Sequence, residues 1–364
     1  MTTEKITIEP VTRIEGHAKI TIRMNDDGTV NHAYFHVNEF RGFEKFCEGR
    51  MVFEMPFITP RICGICPVSH HLAAAKAGDE VLGCPPPRTA TLLRDLMHMG
   101  QIIQSHGMHF FELAGPDLIL GFDADPAVRN VVGLLQADPG LTLKAINLRK
   151  FGQDIIFRVG GRRIHPTFAV PGGVNKALSA EDRAGILAGL DEAIATTQLG
   201  ISIMKGWAEK NREDIEKFAV LKTGYFGMVT PGNGLELYDG QIRLLDQKGQ
   251  QLEHFDGRNY LDYIAEHVES WSYLKFPYYK KMGWPNGVYR VGPLGRLNAA
   301  DVIETPLAGE EMKIWKSLNG GLPVENTLYY HYARMVEVLF ALERVRVLLD
   351  DPDILGKDIL NTRH

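Results

Sequence analysis

The stretch Arg61-Ile62-Cys63-Gly64-Ile65-Cys66-Pro67-Val68-Ser69-His70-His71 constrains this chain more than any other. Two cysteines three apart run directly into a proline, and proline suits the first turn of a helix because an N–H there would have no partner. Residues 72–82 are good helix formers, and Gly83 supplies a stop. The pattern predicts a helix from Pro67 to about Leu82, with both sulfurs at or just before its N-terminus. Unpaired amides and the helix dipole favour a thiolate at such a place. A sulfur pair on that scaffold suits a soft metal or a redox reaction.

The spacing alone leaves several readings open. It fits half of a zinc site, a thioredoxin-type dithiol, two ligands of a larger metal centre, or two small buried residues. Cys47 and Cys84 stand apart, so no second close pair completes a zinc site. The flanking residues lack the short βαβ unit of a thioredoxin fold. What stays beside the plain core reading is an incomplete metal site, or one that borrows ligands from elsewhere.

The rest of the chain alternates between small sheets and long helices. Residues 5–38 read as β, with alternation over Ala18 to Met24 and a turn at Asn25-Asp26-Asp27-Gly28. Glu15 lies in the loop between the first two strands. Residues 88–115 predict a long helix with Leu92, Leu96, Met99 and Ile103 on one stripe. His98, Ser105 and His109 share a face of it and His106 falls beside them; such histidines are commonly core or interface groups. Asp125-Pro126 reads as the cap and first residue of a helix toward Asp138-Pro139, and a further helix covers about Leu141 to Val159. Ser179-Ala180-Glu181-Asp182 resembles a capping box heading a helix toward Phe218, with Ile186, Leu190, Ile194, Leu199 and Ile203 as its packing face. Residues 220–256 turn back to β around Lys248-Gly249, and a short helix is expected over Tyr260 to Trp271. The aromatic group Trp271, Tyr273, Phe276, Tyr278, Tyr279 and Trp284 reads as core or subunit interface. A last helix runs from about Asn326 to Leu349 with Met335, Val338, Leu339, Leu342 and Val345 on one side. The expected class is mainly α with small antiparallel β-sheets, an α+β long-helix bundle.

Composition closes off several functions. A chain of 364 residues, 45% hydrophobic and 23% charged, has material for a large core, and nothing in it reads as a low-complexity linker. A net charge of -5 leaves no footprint for nucleic acid or an anionic membrane. Four unclustered cysteines are no disulfide framework, which suits a reducing compartment. Without a start resembling a signal peptide or an apolar run that would span a bilayer, the expected place is the cytoplasm. No G-x-G-x-x-G follows a strand, so no nucleotide site is expected on this chain.

Arg61 to Cys66 resembles the R-x-C-G-x-C signature of nickel–iron hydrogenase large subunits, with His70 as the downstream histidine. Glu9-Pro10-Val11-Thr12-Arg13-Ile14-Glu15-Gly16-His17 is similar to that family's N-terminal motif, and Arg41-Gly42-Phe43-Glu44 to its R-G-x-E. Ser270 to Pro277 and Tyr289 to Asn298 are similar to the cytoplasmic, NAD-linked, bidirectional branch. The resemblance spans the sequence and implies a single large-subunit domain over 1–364. Its parts would be a β-hairpin region at 5–38, a helical bundle at 67–218, a β insertion at 220–256 and a helical part at 257–364. The family closes with a D-P-C-x-x-C segment and a terminal histidine, whereas this sequence closes at Asn361-Thr362-Arg363-His364. About the last quarter of a family large subunit is therefore expected to be lacking. Two cysteines do not fill a four-thiolate nickel site, so this sequence alone is expected to retain little nickel and not to oxidise dihydrogen.

The resemblance also implies roles. Cys63 matches the terminal nickel ligand and Cys66 the thiolate bridging nickel and iron, soft donors that suit nickel. The iron would carry carbon monoxide and cyanide supplied by maturation proteins. Glu15 matches the proton-relay carboxylate, Glu44 a ligand of a separate magnesium site, and His70 a donor near the bridging sulfur. The implied activity is reversible heterolytic cleavage of dihydrogen. Electrons would pass through an iron–sulfur small subunit, then flavin-bearing diaphorase subunits, to NAD(P), since this chain has no cysteine set for a cluster. Two other readings stand beside it. One is a metal-free structural or proton-coupling subunit like the quinone-module relative in respiratory complex I. The other is an immature or truncated large subunit without activity.

Overall fold

The computed structural model describes residues 5–361. Where the sequence suggests one domain, the chain folds as two compact units, one built from residues 5–48 and Asp256–Tyr289, the other from Gly49–Phe255 and residues 290–361.

The smaller unit is β. Strands β1 (Lys5–Ile8), β2 (Ala18–Met24) and β3 (Val30–Val37) form an antiparallel sheet in that order, with Ile8 opposite Ile20 and Ile20 opposite Phe35. Its later segment differs from the expected helix. Only Tyr260–Tyr263 is helical; Ile264–Val268 is a strand paired with Lys275–Tyr279, so the helical assignment of 257–364 fails over this ribbon. Pairing partners outweigh local propensity in such short segments. The aromatic group forms a half-buried cluster in this unit: Trp271 packs on Tyr34 at 4.8 Å and on Phe276 at 5.7 Å, and Trp284 stacks on His267 at 4.5 Å. Tyr273 stays exposed.

The larger unit is the helical bundle. Helix α1 (Pro67–Leu82) starts at Pro67 and stops at Gly83, which takes the left-handed φ of 62° that glycine adopts without strain. Helix α2 (Arg88–Met108) continues into a π-helical turn, His109–Ala114. Beyond it, Asn130 and not Asp125 caps the next helix (Val131–Ala137), its side chain accepting from Val132 N and Gly133 N. Asp125 instead closes an Asx turn on Ala127 N, because its carboxylate reaches its own loop first. Asp138 caps α3 (Pro139–Gly160), and the Ser179–Asp182 pair caps α4 (Ala180–Lys210).

Along α4 the buried positions include Ile186, Leu190, Ala193, Thr197, Gly200, Ile201 and Met204, while Leu199 falls off that stripe and is exposed. Small residues on the face let neighbours approach closely. Helix α5 (Gly292–Ala299) lies on the sheet of β4 (Gly224–Val229), β5 (Gln241–Leu245) and β6 (Gln251–Phe255). Helix α6 (Tyr330–Asp350) packs on both α2 and α4 and is buried over most of its length, with Met335, Val338, Leu342 and Val345 inaccessible and Val347 exposed near its end. The closest approach in the bundle is between α2 and α3. A Cβ on Gly100 would stand 3.0 Å from Gly152 O, and one on Gly152 would stand 2.6 Å from Gln104 N. A side chain at residue 152 would strike backbone, and one at residue 100 would be tight.

Candidate metal centre

The dithiol loop leaves a 3-10 turn (Thr59–Ile62) with Cys63 extended and Cys66 at the N-cap of α1. The Cys63 sulfur accepts from Ile65 N and Cys66 N, each at 3.3 Å. Two backbone N–H groups aimed at one sulfur suit an anionic ligand atom. No disulfide involves the four cysteines, Cys63 and Cys66 are half-buried, and Cys84 is buried.

Other elements hold this loop. The carbonyl of Ile65, between the two cysteines, accepts from Gln101 Nε2 at 3.0 Å and from Gln104 Nε2 at 2.8 Å, both on α2. The first turn of α1 is pinned by His71, which is fully buried. Its Nδ1 meets Pro56 O at 2.6 Å, and its Nε2 accepts from Ala169 N at 2.8 Å and Phe168 N at 3.2 Å. That pattern admits only the neutral Nδ1–H tautomer, in accord with burial driving its pKa down to about 4. Toward its C-terminal end α1 is tied by Asp79, whose carboxylate accepts from buried Arg94 at 2.6 and 3.2 Å and from Gly172 N at 2.6 Å. His70 is half-buried and its pKa is lowered by desolvation.

Cys66 opens onto a cavity of ≈ 440 Å³, lined also by Ser69, His98, Gln101, Glu236 and Arg296. His98 Nδ1 and Gln101 Oε1 are buried, with no hydrogen-bond partner among the described residues. Burial holds His98 neutral, with a pKa near 4. Behind the wall, Glu337 on α6 is fully buried and takes two bonds of 2.6 Å from Arg296 and one of 2.8 Å from His106 Nε2. Burial alone would raise this carboxyl, but Arg296 and His106 hold it down at about 2. His106 itself is neutral, driven to about 4 by burial, and its Nδ1 lies 3.3 Å from Arg334 Nη1, which can only donate. So the His106–Glu337 contact is a hydrogen bond rather than an ion pair.

The expected site residues fall in different places. Cys63, Cys66 and His70 share the loop and the start of α1 in the larger unit. Glu15 lies in the exposed loop between β1 and β2, and Glu44 in a five-residue helix (Phe43–Cys47), both in the smaller unit. Glu44 is paired with Arg41, and that hydrogen bond lowers its pKa. His98, Ser105 and His106 do line the cavity, whereas His109 lies against His331 at 5.7 Å. Sequence reading passed over Gln101, Gln104, Glu236, Arg296 and Glu337 as site residues. The spacing of His98, Gln101 and Gln104, a polar row on a buried helix, was the available signal.

Among the described residues no three His, Cys, Asp or Glu side chains gather into a metal-binding group. The two sulfurs, with amide donors at one and a polar cavity at the other, fit part of the ligand set of a soft, thiolate-bound metal.

Residues 5–40 match a family described as HoxL-like, and residues 41–142 match the nickel-dependent hydrogenase family. A vhu-type F420-non-reducing hydrogenase subunit of Methanocaldococcus jannaschii is 45% identical over 355 residues, covering 98% of this chain and 84% of that protein. The NAD-reducing hydrogenase HoxS subunit beta of Cupriavidus necator is 41% identical over 368 residues, covering 98% and 75%. A crystal structure of an NAD+-reducing [NiFe]-hydrogenase superposes with a TM-score of 0.95 at 42% identity, covering 99% of this chain and 80% of that one. A Ni-Fe-Se hydrogenase from D. vulgaris Hildenborough shares the fold at a TM-score of 0.79 and 22% identity. The chain belongs to the nickel-dependent hydrogenase family, as a large subunit. Its relatives are subunits of multi-subunit hydrogenases, and the family implies a nickel–iron centre. No helix among the described residues is long and apolar enough to cross a membrane.

Proposed function

We propose that this subunit carries out reversible heterolytic cleavage of dihydrogen in the cytoplasm and passes the electrons, through an iron–sulfur small subunit, then flavin-bearing diaphorase subunits, to NAD(P). The observation that supports the site is the Cys63–Cys66 loop, clamped by buried side chains on the wall of a polar cavity. Cys63 and Cys66 would hold the nickel, Cys66 as the bridge to an iron carrying carbon monoxide and cyanide placed there by maturation proteins. When bound, that group supplies the polarisation that splits dihydrogen into a proton and a hydride equivalent.

The chain's own residues do the rest. The amides of Ile65 and Cys66 stabilise charge on the Cys63 sulfur. Gln101 and Gln104 fix the loop between the sulfurs, and His71 and Asp79 fix the helix that follows. His70 is proposed as a hydrogen-bond donor beside the dithiol, and the Glu15 carboxylate as the group that takes and hands on the proton. For magnesium, Glu44 would supply one carboxylate oxygen. Its partner here is Arg41, so the residues described do not by themselves form that site.

NAD(P) as acceptor draws support from the likeness to NAD-reducing relatives. Dihydrogen-dependent reduction of NAD+ and of a viologen dye by the native complex tests it, with nickel measured on the same sample. Reduction of the dye but not of NAD+ or NADP+ would overturn the acceptor and leave the site reading standing. A fully assembled complex without nickel would overturn the site.

A further inference from the structure

Gln101 is 2% exposed, yet only one end of its amide is used. Nε2 donates to Ile65 O, the carbonyl between the two cysteines. A carbonyl can only accept, so this bond fixes which way the amide is turned and sends Oε1 the other way. Oε1 is buried with no donor among the described residues, and Gln101 lines the same cavity as Cys66. Gln104, one turn on, donates to the same carbonyl but does not line that cavity.

We propose that Gln101 is a positioning residue for the dithiol: one end of its amide holds the Cys63–Cys66 loop, and the other leaves an unmet hydrogen-bond acceptor buried in the wall that Gln101 shares with Cys66. This rests on the reading of Cys66 as a metal thiolate. An oxygen acceptor on that wall favours a protonated neighbour and disfavours an anionic one, so Gln101 tunes the environment of the sulfur as well as its place. Gln104 does only the first of these two jobs and is the built-in comparison.

Gln101→Met and Gln104→Met each remove one hydrogen bond to Ile65 O at nearly constant volume. In the complex with its partner subunits, both lower the melting temperature to a similar degree. Gln101→Met lowers kcat about tenfold, as expected of small misplacements at a reacting centre, and shifts the infrared bands of the iron's diatomic ligands. Gln104→Met, which removes a loop bond but no acceptor from the cavity wall, has a smaller effect on both. Nickel-loaded Gln101→Met with wild-type bands and kcat, or equal effects of the two variants on both, overturns the proposal. A second measurement needs no metal. In the metal-free chain, iodoacetamide alkylates Cys66 about fivefold faster in Gln101→Met, the opening expected from one lost hydrogen bond. An unchanged rate overturns the proposal whether or not the wild type holds nickel, whereas a wild-type complex lacking nickel overturns only the metal assignment.

Discussion

The dithiol loop and the Arg41–Glu44 segment both carry motifs of the same family, and they are held in opposite ways. Around Cys63 and Cys66 the anchoring groups are buried, come from α1 and α2, and meet backbone atoms at 2.6–3.2 Å. Glu44 is exposed, and its ion pair is with a residue three positions away in the sequence. The first arrangement sets where a sulfur sits. The second leaves a carboxylate able to exchange partners. The loop bearing Glu15 is exposed as well. The dithiol proposed as the soft-metal ligand is built in, whereas Glu44 and Glu15, proposed for magnesium and for the proton, are left adaptable.

Four changes probe that contrast, the strongest first. Cys66→Ala removes the sulfur proposed as the bridge, and dihydrogen-dependent dye reduction should fall by about a thousandfold or more, as when one member of a catalytic unit is lost. Glu15→Gln should leave nickel content and melting temperature unchanged while slowing turnover about a hundredfold or more, the usual yield of a positioned acid–base group. Normal turnover in that variant would remove Glu15 from the proton path.

Acid should act on the clamped end through its histidines. Burial lowers His71, His98, His106 and His331 from the ordinary 6.5 to about 4, and His109 to about 3. The folded chain keeps these rings neutral while the unfolded chain protonates them, so stability is full above pH 6.5 and is lost as pH falls through about 4. His71 alone accounts for roughly 3 kcal/mol over that window. Urea midpoints at pH 7.5 and pH 5 report the slope, and equal midpoints would show these rings charged in the fold. Least affected is Glu44→Gln, whose melting temperature should match the wild type because exposed ion pairs add little. A clear drop would place Glu44 among the built-in groups.

Much of the architecture was legible because long helices advertise themselves. The stop at Gly83, the cap at Ser179 and the apolar run of α6 follow from local chemistry. Local chemistry also misled. Asp125-Pro126 looked like a cap, but its carboxylate is spent on its own turn, and 264–279 became a ribbon through pairing that no single segment announces. The dithiol was visible from spacing. Its supports were not, since Gln101 and Gln104 gain their meaning only when α2 lies across Ile65, and Glu337 only when α6 brings it between Arg296 and His106.

The contact of α2 with α3 at Gly100 and Gly152 lies one residue from Gln101 and directly against the backbone of Gln104. The distance between two helix axes is thereby handed on, through two amides, to the sulfurs. A single methyl group at residue 152 would move the dithiol without touching it, so the bundle acts as a caliper whose jaw is that loop.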